Sequence, residues 1–185
     1  MKNAFIYSFL VISIALLSCE KEAPLVPNEE ELITTVIYTL TPQSGGESIV
    51  MTFEDLDGDG GQAPQVSGGT FKAGTKYNGV LQLLDESNSP VEDISAEVMS
   101  EADEHQVFYQ TSSTLNLTVS YTDMDNEGKP LGLKTVLAAN TKSTGSLKVI
   151  LKHKPNKSAA NVEQGDMTNA GGETDIEVSF NVTIQ

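Results

Sequence analysis

The chain contains no tryptophan, and all 11 of its basic residues are lysine. Against them stand 26 aspartates and glutamates, giving a formal net charge of −15. Nucleic acid and anionic lipid are recognised by clustered positive charge, so a chain this acidic is repelled by both. Lack of tryptophan weakens a sugar-binding reading, because sugars commonly stack on flat aromatic platforms. Histidine is scarce, with two residues, and cysteine scarcer, with one. A lone cysteine cannot form an internal disulfide. Long hydrophobic runs are missing too: the most apolar stretch, residues 4–17, falls short of the about 20 residues that a bilayer span needs. There is no phosphate-cradling glycine loop and no G-x-S-x-G nucleophile elbow. The expectation is a non-catalytic protein.

What is present begins with a leader. Met1-Lys2-Asn3 is a short positive start, and the apolar run follows it, the layout of a secretory signal. Leu16-Leu17-Ser18-Cys19 then resembles the bacterial lipobox. That resemblance implies that the Cys19 thiol receives a diacylglyceryl group, that residues 1–18 are removed, and that the new amine is acylated. Two or more acyl chains anchor stably where one does not. Loss of the leader removes only Lys2, so the mature chain is more acidic still. No aspartate follows Cys19, and Glu20-Lys21-Glu22 resembles the surface-export signals of Bacteroidota lipoproteins. The expected location is the outer membrane, with the body at its periplasmic face or on the cell surface.

Residues 20–31 carry prolines and like charges, a composition that disfavours packing. They read as a tether of about 40 Å at full extension. The division is therefore leader 1–18, lipidated cysteine and tether 19–31, and one domain over 32–185. In that domain, segments rich in β-branched and aromatic residues alternate with turn signals. Ile33–Leu40 and 48–53 read as a hairpin, and Tyr77–Leu84, with little polar interruption, reads as a central strand. Ile176, Val178, Phe180, Val182 and Ile184 alternate with polar residues in the last strand. Ser89-Pro90-Val91-Glu92 looks like a helix start, with Val91, Ile94 and Val98 on one face, which predicts a helix over about 90–102. Many short strands and one short helix predict a mainly β fold, an antiparallel β-sandwich of Ig-like type.

Three constellations carry candidate chemistry. Asp55-Leu56-Asp57-Gly58-Asp59-Gly60 places carboxylates at alternate positions, as the first half of a calcium loop does. The closing bidentate acid is missing, so calcium here needs remote ligands. A second version, with Asp123, Asp125 and Glu127, follows another strand. Both also suit acidic hairpin loops, since Asp, Asn and Gly favour tight turns. The third constellation is His105 and His153. His153 is in phase with Leu147, Val149 and Leu151, and His105 with Val107 and Tyr109, so neighbouring strands would bring the rings together beside Glu101 or Glu104. Imidazole with carboxylate suits zinc, copper or iron; satisfied polar residues at a sheet edge are the other reading. Gly171-Gly172-Glu173-Thr174-Asp175 reads as a turn before the last strand.

Asn28-Glu29-Glu30-Glu31, Asp55 to Gly60, Ser89-Pro90-Val91-Glu92-Asp93-Ile94, Glu104-His105-Gln106, His153-Lys154-Pro155-Asn156-Lys157-Ser158 and the segment Gly165 to Gly172 together resemble a group of small flavobacterial lipoproteins. These often carry the label "type 1 periplasmic binding fold superfamily protein". That label implies a two-lobed α/β fold, whereas one helix among many strands is legible here. The expected function is a lipid-anchored binding module at the outer envelope for a small ligand, an ion such as calcium, or a partner protein. The other expectation is a metal- or haem-handling lipoprotein that uses His105 and His153 with Glu104.

Overall fold

The computed structural model describes residues 31–58, 60–87 and 89–185. The leader, Cys19, most of the tether and Asp59 lie outside the described residues. β1 (Thr35–Pro42) is built of β-branched and aromatic residues that suit a pleated, half-buried surface. Val36, Tyr38 and Leu40, in phase, are wholly buried. The chain turns back into β2 (Ile49–Glu54), paired antiparallel from Thr35↔Glu54 to Leu40↔Ile49, the hairpin expected. β3 (Gln65–Ser67) and β4 (Gly69–Phe71) follow, then β5 (Thr75–Asp85), a strand of 11 residues.

β5 is central in the larger sheet, whose order is β3-β2-β1-β5-β9-β8 with a two-residue strand, β6 (Glu92–Asp93), on the side of β5. β8 spans Leu117–Tyr121 and β9 Lys134–Ala139. The second sheet runs β4-β11-β10-β7, from β7 (His105–Thr111), β10 (Ser143–His153) and β11 (Glu173–Ile184). Among the described residues only β4 with β11 is parallel. The two sheets face each other over one core, in which Tyr38, Met51, Phe71, Leu83, Leu137, Leu147 and Phe180 are fully buried. At its centre Tyr38 Oη lies 2.6 Å from Thr135 Oγ1, which satisfies both buried hydroxyls. Gly79 is required beside them, because a Cβ there would sit 2.8 Å from Tyr38 Oη.

The single α-helix among the described residues, α1 (Ile94–Ser100), is shorter than expected and starts later. Ser89-Pro90 does not open it. Glu92 and Asp93 pair with Asp85 and Leu84 instead, so long-range strand pairing overrides the local capping pattern. The cap is Asp93, whose Oδ1 accepts from Ser95 N at 3.1 Å. Ile94 and Val98 are the buried face.

The segment after β10 folds back over the outer face of the second sheet through two 3-10 turns, Val162–Gln164 and Met167–Asn169. It covers Phe108 and Ile150, which form a second small core with Val162 and Ala170. Phe108 of β7 and Ile150 of β10 are thereby buried on this outer face.

Candidate cation site

β7 begins at His105 and β10 ends at His153, and the two residues pair directly across the antiparallel ladder. Their rings stack with centroids 4.6 Å apart at 11°. His105 is fully buried. Its Nδ1 lies 3.2 Å from the carbonyl oxygen of Glu101, at the end of α1. A neutral ring that donates Nδ1–H to this acceptor presents a bare Nε2 on its other side.

That nitrogen faces Glu31. Nε2 to Glu31 Oε1 is 3.4 Å, longer than a well-formed hydrogen bond. Neither His105 Nε2 nor Glu31 Oε2 has a hydrogen-bond partner among the described residues. Asp175 completes the group: one ligand atom each from Glu31, His105 and Asp175 lie within 4.8 Å of one another. A second trio, Glu101, His105 and His153, meets the same spacing.

Asp175 arrives here through an irregularity of the sheet. Leu151 pairs with Ile176, but Lys152 pairs with Thr174, so Asp175 is the extra residue of a β-bulge. A bulge re-aims a side chain that strict alternation would send to the other face. Gly172 just upstream has φ +68, and a Cβ there would press on the carbonyl of His153. The turn expected at Gly171-Gly172 thus seats β11 against the end of β10.

Glu31 and Asp175 also form part of the wall of a cavity of about 640 Å³ at this end of the sandwich. Asp55, Asp57 and Glu177 line it too, and no basic residue does among the described residues. The electrostatics follow. Burial, then the charges of Asp175, Glu97 and Glu101, push the Glu31 carboxyl up to about 7. Burial lowers the pKa of His105, and the neighbouring His153 adds to that, while the Glu101 carbonyl opposes it.

The first acidic loop shares this cavity with Glu31, Asp175 and Glu177. Its own geometry is turn chemistry: Asp55 Oδ1 accepts from Gly58 N and Asp57 Oδ2 from Gln62 N, each at 3.0 Å. The second loop is closed on itself. Asp123 accepts from the N–H groups of Gly132 and Lys134, both at 2.9 Å. Asp125 accepts from Glu127 N, Lys129 N and the ammonium of Lys157. Glu127 is paired with Lys129 at 2.6 Å. The geometry favours the hairpin-loop reading there, with a lysine where a metal was the other option. Glu104, expected beside the histidines, lies 3.6 Å from His153 Nε2, but it is half exposed and also 3.4 Å from Lys154 Nζ.

Sequence reading missed Glu31 and Asp175 as site residues. Glu31 was indistinguishable from the acidic tether, and Asp175 falls out of phase unless the bulge is known. A scan against protein-family models and searches of curated proteins and of solved structures find nothing that matches this chain.

Proposed function

We propose that this protein is a lipid-anchored binding module of the outer cell envelope, non-catalytic, whose ligand is an ion or a small cationic molecule. The observation that carries the reading is the cavity: five carboxylates around about 640 Å³ with no lysine in the lining among the described residues. A concave site with converging charged groups is where a ligand of opposite charge gains most. Anchoring rests on the sequence at Cys19. No helix among the described residues is long and apolar enough to cross a membrane.

Two experiments test this. Cys19→Ala should abolish fatty-acid labelling and move the protein from the membrane to the soluble fraction; persistence in the membrane would sink the anchor. Calorimetric titration of the purified, chelator-treated protein with calcium, zinc and spermidine should show at least one binding with Kd of about 1 mM or tighter, the extracellular range. If none of the three binds, the cavity is not a cation site.

A second reading, a metal- or haem-handling protein using His105 and His153, is favoured by the stacked pair. Rings in face-to-face contact leave no slot between them for a macrocycle, so an ion suits the pair better than haem.

A further inference from the structure

We propose that His105 Nε2, Glu31 and Asp175 form a binding site for a divalent transition-metal ion of zinc type, open on its fourth side to the cavity. This deepens the cation-binding reading above and rests on it.

The donor set selects the ion. Calcium takes six to eight oxygens, whereas zinc and its neighbours accept imidazole nitrogen together with carboxylate oxygen. Three protein ligands with one open position are the pattern of exchangeable or reactive zinc sites, not of closed structural ones. Donors at 2.0–2.1 Å from a tetrahedral ion stand on the order of 3.4 Å apart. His105 Nε2 and Glu31 Oε1 are already at 3.4 Å, and all three donors lie within 4.8 Å, so small side-chain adjustments close the site.

The surroundings are those of a held ligand. A metal-binding histidine almost always gives its other N–H to a carbonyl or carboxylate, which fixes tautomer and ring plane. The Glu101 carbonyl stands at Nδ1 of His105. On the opposite side a bare, fully buried nitrogen meets the Glu31 carboxylate with no hydrogen bond between them, an arrangement that a cation resolves. Glu31 and Asp175, the two carboxylates grouped with this nitrogen, also line the cavity.

The competing trio, Glu101, His105 and His153, shares His105. It draws on Glu101, an exposed residue whose carbonyl already holds Nδ1. In the proposed site His153 is a positioning residue: its ring, stacked at 4.6 Å, keeps the imidazole of His105 in plane.

The test uses the full-length protein in detergent, stripped with chelator and titrated with zinc, with cobalt(II) as a spectroscopic probe. One ion per chain is expected, with visible cobalt bands of low-coordinate geometry. Asp175→Asn and Glu31→Gln, both isosteric, should each weaken zinc tenfold or more, whereas His153→Phe, which keeps a stacked ring, should lose less than threefold. Melting curves and circular dichroism establish that each variant is folded. If calcium or spermidine binds and zinc does not, the metal proposal is overturned and the cation cavity stands. Zinc binding lost in His153→Phe but kept in Asp175→Asn overturns it in favour of the other trio. If nothing binds, both readings fall.

Discussion

Lys157→Met is expected to destabilise the fold by about 3 kcal/mol, the low end for breaking a buried ion pair by removing one partner. For a domain of this size that is a fall of about 6–12 °C in melting temperature. Lys157 is almost wholly buried, and its Nζ donates to Asp125 Oδ2 at 2.9 Å and to the Ala102 carbonyl at 2.6 Å. The Asp125 side chain is 1% exposed. Burial alone would raise its pKa, but the hydrogen bonds from Lys157 and from the Lys129 N–H hold the carboxyl below its usual range. Methionine keeps most of the volume and removes the cation, which leaves a buried charge behind. Adding Asp125→Asn removes that charge while its Oδ1 still accepts from the loop N–H groups, so the double variant should recover more than half of the loss. Urea melts of the three proteins decide it. A neutral Lys157→Met would mean that Lys157 does not pin the segment after β10 to the loop at Asp125 and to Ala102.

Glu31→Gln should act in the opposite direction and stabilise the metal-free protein at pH 8. The folded carboxyl titrates near 7, against 4.5 for an ordinary glutamate. Between those values the folded state keeps a proton that the unfolded chain has given up. Stability from this group is therefore full below pH 4.5 and is lost as pH rises through 7. Every tenfold difference in proton affinity between the folded and unfolded chain is worth about 1.4 kcal/mol; discounted for solvent at the cavity side, the cost at pH 8 is on the order of 2 kcal/mol. That corresponds to about 4–8 °C. Glutamine carries no charge at any pH and escapes this cost.

His105 bears on the same range with the other sign. Its folded pKa lies below 6.5, so its contribution rises with pH up to 6.5 and is constant above. From these two groups the wild type should gain less than Glu31→Gln as pH rises from 4.5 to 6.5 and then fall through 7, while Glu31→Gln rises to 6.5 and stays there. Melting temperatures from pH 4 to 9 in chelator check this. A variant less stable than the wild type at pH 8 would show that burial and the charges of Asp175, Glu97 and Glu101 do not load the site as described. A residue whose loss stabilises the empty protein yet weakens binding is the usual mark of function held at the expense of stability.

The fold was legible where local pattern and long-range pairing agree. β1 and β2 have the right residues and a short turn between them. Val36, Tyr38 and Leu40 have the right period, as do Val178, Phe180 and Val182 in β11. The meeting of His105 and His153 could be read as a condition on strand order, since each is in phase with core residues of its strand, and β7 beside β10 meets that condition. The start of α1 was not legible, because Ser89-Pro90-Val91-Glu92 carries capping chemistry and only the pairing of Asp93 with Leu84 decides against it. Asp175 was hidden for a related reason: one extra residue between the partners of Leu151 and Lys152 changes its face, and nothing in 173–176 announces it. The loop from Asp123 to Glu127 has cation-binding spacing, and its cation arrives from position 157, too far along the chain for spacing to reveal.

Glu31 has one more consequence. It belongs at once to the wall of the cavity and to the first described stretch of the body, twelve residues beyond Cys19, the residue proposed to carry the anchor. With Cys19 in a membrane, as proposed, a pull on the anchor is transmitted along the chain to Glu31. Linkage then runs both ways. A ligand that holds Glu31 against His105 shortens the leash, and a taut leash draws one donor out of the site and weakens the grip on the ligand. Occupancy and distance from the membrane become two readings of a single equilibrium, settled at one residue.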